Sequence, residues 1–543
     1  MKVHTLVGLS FISSTAALNC STTTFQSIFN SNNVPATVKY ASQLGNNSTF
    51  KVTGNLAYPE SPTGLQPLCA VEVVAFTEVG TNYTFGLFLP DTWNNRFLAV
   101  GNGGYAGGVN WIDMGNGVGY GFAVMSTDTG HNSSFQTTSW AYGNPESITD
   151  WGWRAMHGST VNAKILTEAY YGSAPEYSYF SGCSVGGRQG LKALELFPDD
   201  YNGVTAGAPA WWTTRIQLFA LKATTYNAPA GSAHTIPESM FTVISEEVIK
   251  QCDGQDGLND TIISDPFGCN FNPDTLLCQG NSTSQCLSGP QIDTLNKIHS
   301  DWIDVNQTFV FNHFLLGSEA TWSQNIGDGS GQANQLGYVQ DLLQVGPDFA
   351  WEDLDYDTVL LSESINPGNA SADYYDISPF YQAGGKLLHY HGFADSTCPT
   401  GTSLYWYSHV LRALAPKSID VSSFYRLFLI PGMEHCQSTP SGQNAPWYIS
   451  GANQAAVLGS DISGVPGFRD AKHDVLLALW LGLKMAQLLM KLLLLNGLMM
   501  MLLRPLIVNG PFVLTPTKRN IMVLETRIWR KVGLASCFTR LVF

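Results

Sequence analysis

The run Tyr179-Phe180-Ser181-Gly182-Cys183-Ser184-Val185-Gly186-Gly187 has the residue types of a nucleophilic turn. An apolar strand-like segment enters Gly-x-Ser-x-Gly, and a helical segment from Leu191 to Phe197 leaves it. A turn that lifts a serine hydroxyl above a sheet leaves no room for side chains two residues to either side, so glycine belongs at 182 and 186. The five-residue pattern also arises in ordinary Gly/Ser loops; the strand before it and the helix after it carry the inference.

A serine is a weak nucleophile without a histidine base, which in turn needs a carboxylate to orient it, and in this arrangement the chain order is Ser, acid, His. Two downstream segments fit that order. Lys386-Leu387-Leu388-His389-Tyr390-His391-Gly392-Phe393-Ala394-Asp395 is an apolar strand ending in a turn that delivers Asp395, and Arg426 to Cys436 is a second strand whose turn presents His435. Singly, an Asp after a strand reads as a helix cap and a lone His as a surface residue; the ordered set of three points to acyl transfer. An oxyanion hole needs two backbone N–H groups, and Val185 supplies one. Gly103 and Gly104, in the glycine-rich run Leu98 to Gly108, are candidates for the other. A plain turn is the alternative there, whereas a phosphate cradle lacks its Lys-Ser/Thr. Cys183 precedes the serine and Cys436 follows the histidine, so contact between serine and histidine would bring the two thiols within reach of a disulfide.

The elements that must hold these residues follow from the surrounding pattern. Short apolar runs from Phe50 to about Arg215 alternate with Gly, Asn and Pro clusters and helical stretches, and the pattern resumes at Lys386 to His391 and Phe424 to Ile430. This predicts an α/β class chain with catalytic parts at 18–215 and 380–479. Between them, residues 216–379 are rich in loops and aromatic side chains and read as an inserted lid domain. The 543 residues are 44% hydrophobic and 13% charged with a net charge of -15, which excludes a disordered chain and gives no footprint for nucleic acid or acidic lipid.

Residues 1–17 read as a signal peptide. Eight sequons, at Asn46, Asn47, Asn82, Asn132, Asn259, Asn281, Asn306 and Asn369, agree with export, and ten cysteines in an exported chain imply disulfides whose pairing spacing alone does not give.

Gly-Cys-Ser-Val-Gly-Gly, Tyr390 to Asp395 and Pro431-Gly432-Met433-Glu434-His435-Cys436 resemble the fungal tannase and feruloyl esterase family, over about Phe25 to Leu479. The resemblance implies a secreted α/β-hydrolase fold with a lid, a Ser184/Asp395/His435 site bridged by Cys183 and Cys436, and esters of hydroxycinnamic or gallic acid as substrates, plant cell-wall derived. It also implies a structural calcium ion in the lid on the side chains of Asp253, Asp256 and Asp260 and the backbone oxygens of Leu258 and Ile262. The residues alone allow a solvated acidic turn there instead. Pairs Cys252 to Cys269, Cys278 to Cys286 and Cys20 to Cys69 belong to the same expectation. Cys398 and Cys537 are left over.

The last stretch departs from the resemblance. Residues 481–543 contain nine Lys or Arg and one acid, Glu525. Val475 to Leu503 is apolar enough for a membrane anchor, although Lys484 and Lys491 would be costly at its centre. Gly482 to Gly497 and Asn509 to Arg519 instead read as the family's continuation translated one nucleotide out of frame, so 480–543 is expected to be an aberrant tail rather than an evolved anchor. The leading expectation is a secreted serine esterase acting on phenolic-acid esters, feruloyl ahead of galloyl. The alternatives are a tannase, another serine hydrolase such as a peptidase, and a binding module on an inactive hydrolase fold anchored by its apolar tail.

Overall fold

The computed structural model describes residues 18–482 except 281–284, 331–332, 444, 446, 448 and 459–467. The expected signal peptide, the sequon at Asn281, the tail beyond 482 and Cys537 lie outside the described residues.

Among the described residues, nine of eleven strands form one mixed sheet. They are β1 (Ala36–Leu44), β2 (Leu68–Phe76), β3 (Asn82–Pro90), β4 (Arg96–Val100), β5 (Ala123–Thr127), β6 (Tyr177–Cys183), β7 (Gly203–Gly207), β10 (Lys386–Gly392) and β11 (Tyr425–Ile430), in the order β1-β2-β3-β5-β4-β6-β7-β10-β11. β1, β2, β3 and β5 pair antiparallel, while β5, β4, β6, β7, β10 and β11 run parallel. Parallel neighbours need crossovers, and the helices Trp111–Val118, Ala155–Tyr171, Val185–Leu196 and Gly401–Leu414 supply them. This is the α/β-hydrolase architecture expected.

Alternation along the strands fills both faces. Phe180 belongs to the buried cluster that holds Leu166, Leu191 and Val204, while its neighbour Tyr179 belongs to the other, with Leu98, Val124 and Leu479. The final described helix, Val475–Gly482, closes the second face against β7 and β10. Among the described residues no helix is long and apolar enough to cross a membrane.

Between Gly207 and Lys386 the described residues add no strand to this sheet. It carries the helices Thr213–Asn227, Ser239–Cys252, Gly289–Ile298 and Tyr356–Ile365 with a small hairpin of β8 (Trp302–Ile303) and β9 (Phe309–Phe311). The segment expected as a lid falls within this insertion. Parallel β7 and β10 remain neighbours despite it, so the site residues on either side of the insertion share one sheet edge.

Candidate active site

Three strands end where the candidate residues begin. β6 runs into Ser184, which adopts φ 62° and ψ -125° before the helix Val185–Leu196 starts. That strained backbone is unusual for a residue with a side chain and recurs at functional turns. A Cβ on Gly182 would lie 2.5 Å from the Gly186 backbone, and one on Gly186 would lie 2.8 Å from the Asn102 carbonyl, so neither position admits a side chain. The Ser184 N–H donates to the Gly207 carbonyl at 2.9 Å, which pins the turn to β7.

Asp395 follows β10 and His435 follows β11. The last residue of β10, Gly392, must lack a side chain because a Cβ there would sit 2.1 Å from the Met433 carbonyl oxygen, in the turn that carries the histidine. This close crossing lets His435 Nδ1 donate to Asp395 Oδ2 at 2.7 Å. Asp395 is fully buried, and its Oδ1 accepts the N–H groups of Thr397 and Cys398, each at 2.8 Å. Burial pushes the Asp395 pKa up, but His435 and His391 outweigh it and hold the carboxyl well below its ordinary range. A carboxylate fixed in this way keeps the imidazole in the tautomer whose Nε2 is bare and basic.

A disulfide joins Cys183 to Cys436 with 5.8 Å between Cα atoms, tying the serine turn to the histidine turn. There is no hydrogen bond between the Ser184 hydroxyl and His435 in this structure; the Ser184 hydroxyl meets the Cys398 thiol instead. Cys398 is buried and unpaired, and burial together with the nearby Asp395 pushes its pKa well up, so it stays a neutral thiol. Unliganded hydrolase sites often have long or misaligned catalytic hydrogen bonds that tighten only when substrate binds.

The oxyanion candidates divide. The Gly103 N–H donates to the Tyr58 hydroxyl oxygen at 2.8 Å, so this amide is already engaged. Neither Gly104 nor Val185 has an acceptor for its N–H among the described residues. Gly104 has φ +50°, and a Cβ there would meet the Phe135 carbonyl oxygen at 2.6 Å. Of the three candidates, Val185 and Gly104 therefore keep an unengaged N–H among the described residues.

Three side-chain groups escaped the sequence reasoning. Tyr58 was hidden because its partner lies 45 residues away in a loop with no pattern of its own. His389 and His391 stood in view on a strand, yet only the fold reveals that they and Ser403 converge behind Asp395.

The remaining disulfides are Cys20–Cys69, Cys252–Cys269 and Cys278–Cys286, in agreement with the expected pairing. In the acidic loop, Asp253 accepts the N–H groups of Asp260, Thr261 and Ile262 at 3.1, 2.9 and 3.2 Å. Asp260 Oδ1 accepts the same Ile262 N–H at 3.2 Å, and Asp256 Oδ1 accepts the Leu258 N–H at 2.9 Å. Among the described residues no three His, Cys, Asp or Glu side chains are gathered tightly enough to hold a metal as they stand. Two carboxylates converging on one amide are nonetheless the hard oxygen donors that a calcium ion takes.

The tannase and feruloyl esterase family profile matches residues 71–323 and 355–458, spanning all three candidate residues. A curated relative, "Probable feruloyl esterase B-1" of Aspergillus oryzae, is 33% identical over 375 residues, 68% of each chain. The crystal structure of feruloyl esterase B from Aspergillus oryzae superposes with a TM-score of 0.76 and 30% identity, covering 85% of this chain and 90% of that one. Tannin acyl hydrolase from Aspergillus niger superposes with a TM-score of 0.62 at 22% identity, over 81% of this chain and 86% of that one, and so shares the fold. With the fold, the serine turn and the matched profile in agreement, this chain belongs to the tannase and feruloyl esterase family.

Proposed function

We propose that the protein is a secreted serine ester hydrolase that releases phenolic acids from plant-derived esters, feruloyl esters ahead of galloyl ones. Ser184 attacks the ester carbonyl while His435 Nε2 takes its proton. Asp395 holds the imidazole and balances the imidazolium. The N–H groups of Val185 and Gly104 receive the oxyanion. His435 then protonates the departing alkoxide, and water, activated by the same imidazole, releases the acid. The observation that carries this reading is the 2.7 Å contact from His435 to a buried, ionised Asp395, beside a disulfide that brings the serine and histidine turns together.

The feruloyl preference rests on 33% identity to a probable feruloyl esterase B, against 22% to a tannin acyl hydrolase. Comparing kcat/KM for methyl ferulate and methyl gallate tests it: ferulate is expected to be the better substrate, and a gallate preference would make the protein a tannase. A complete set of three reacting side chains argues against an inactive binding module.

Export is supported by the four disulfides, which need an oxidising compartment, and by exposed sequons at Asn46, Asn82 and Asn306. A calcium ion on Asp253, Asp256, Asp260 and the carbonyls of Leu258 and Ile262 would neutralise the converging carboxylates and brace the lid. No step of the chemistry depends on it.

A further inference from the structure

Behind Asp395 lies a second imidazole. His391 Nε2 is 3.0 Å from Asp395 Oδ2 and 2.8 Å from the Cys398 carbonyl oxygen. Both partners only accept, so Nε2 carries a hydrogen. On the other side of the ring, Nδ1 is 2.7 Å from Ser403 Oγ, and that same hydroxyl is 2.7 Å from His389 Nε2. His389 Nδ1 in turn is 2.8 Å from the Tyr425 hydroxyl. His389, His391, Asp395, Ser403 and Tyr425 are all fully buried.

Proton counting fixes the direction of this chain. A hydroxyl has one hydrogen, so Ser403 donates to one imidazole and accepts from the other. If His391 is neutral, its bare Nδ1 accepts the Ser403 O–H and Ser403 accepts the His389 Nε2–H. His389 Nδ1 then accepts the Tyr425 O–H. Every group is satisfied, and every hydrogen points toward Asp395. If His391 were charged, the chain would reverse and the Tyr425 hydroxyl, already filled by His389 Nδ1–H, would need another acceptor in a buried site where unmet donors are costly. Burial also holds the His389 pKa well below its ordinary value, so no charge resides there.

We propose that His391 is a positioning residue for the hydrolysis: a neutral imidazole, locked as an Nε2–H donor by the Tyr425–His389–Ser403 chain, that shares Asp395 Oδ2 with His435. It fixes the orientation of the carboxylate and tempers the charge that His435 feels. Asp395 thereby has four N–H donors, from Thr397, Cys398, His391 and His435, and no buried cation is required to keep it ionised. The inference rests on the assignment of Asp395 and His435 as acid and base.

The pH profile of kcat/KM on methyl ferulate tests it. The titratable groups facing this cluster are His389 on β10, Tyr425 on β11, the Cys398 thiol and Glu434, which burial and Asp395 push up to about 7. Because Glu434 would titrate in the same window, the profiles are recorded with Glu434→Gln in the background as well. Ser184→Ala must first abolish turnover; if it does not, the triad assignment fails and the role of His391 is not the cause. His391→Leu is expected to lower kcat/KM by about 10- to 100-fold. It should also move the acid limb up by about one pH unit, because a carboxylate with one donor fewer holds the His435 proton more tightly. His391→Gln, whose amide N–H reaches the Nε2 position, should restore most of the rate and the original limb. Equal losses in both variants with an unmoved limb would reduce His391 to packing. Should the leucine variant not fold, 15N-histidine NMR of the wild-type protein decides: the resonance lost in His391→Gln must report a neutral Nε2–H ring at the pH of full activity. A charged or Nδ1–H ring there overturns the proposal.

Discussion

Cys183 and Cys436 are bonded across 253 residues of sequence, and each is the immediate neighbour of a candidate reacting side chain, Ser184 on one turn and His435 on the other. The link ties the serine turn to the histidine turn independently of the long insertion between β7 and β10.

Replacing both cysteines by alanine should therefore cost stability and rate together. Closing so long a loop stabilises by up to about 5 kcal/mol in the chain-entropy description, less whatever the other cross-links already restrain. Denaturant unfolding is expected to move by several kcal/mol, and kcat for a methyl ester to fall more than tenfold even where the variant is fully folded. Unchanged kcat in the folded variant would make the bridge a stability device alone.

Gly104→Ala combines a positive φ with a Cβ 2.6 Å from the Phe135 carbonyl oxygen, so it must displace the loop that carries the proposed oxyanion donor. A loss of about 10²- to 10³-fold in kcat with little change in KM is expected, the usual cost of one oxyanion donor. Tyr58→Phe leaves the Gly103 N–H without its acceptor and should cost less. If the tyrosine variant proves the more damaging, Gly103 has the role assigned here to Gly104.

Stability should fall as pH rises from about 5 to 8. Burial pushes Asp128 up to about 7 and Asp474 up to about 6. An unfolded Asp releases its proton near pH ~3.9, so over the interval above that the native state holds protons that the unfolded chain does not. The stabilisation is full below the unfolded value and is lost as pH passes the folded one, on the order of 2 to 4 kcal/mol for Asp128 alone. Asp395, held low, works in the opposite direction, but only below about pH 4. Urea midpoints at pH 5.5 and 8 check this, and Asp128→Asn, which mimics the protonated acid, should reduce the difference. An equal or larger difference in that variant would contradict the assignment.

A bound calcium ion would stabilise the native state by mass action. Chelation should lower the thermal midpoint by several degrees in wild type and much less in Asp253→Asn, and calorimetric titration of the chelated protein should give one site per chain. No heat of binding and no midpoint shift would leave the loop as an acidic turn braced by the Asp253 hydrogen bonds.

What the sequence disclosed and what it hid divide by the range of the interaction involved. The serine turn was legible because its steric rule is local: Gly182 and Gly186 are dictated by contacts within and just beside the motif. That Asp395 and His435 each follow a strand was legible in the apolar runs before them, and the structure brings the two side chains into contact. The engagement of Gly103 by Tyr58 and the imidazole chain behind Asp395 were not legible, since each depends on partners that only the sheet order brings together. Ser403 lies on a helix with no mark that distinguishes it from a surface serine, and its importance comes from standing between two imidazoles.

The most direct test of the account is hydrolysis of methyl ferulate by the purified protein and by its Ser184→Ala and His435→Ala variants, with intact mass recorded after a phosphonylating serine reagent. Turnover is expected in wild type, with a loss of about 10⁴-fold or more in both variants and a single adduct on the peptide containing Ser184 that neither variant forms. Retained turnover in folded Ser184→Ala, or an adduct on another residue, would contradict it.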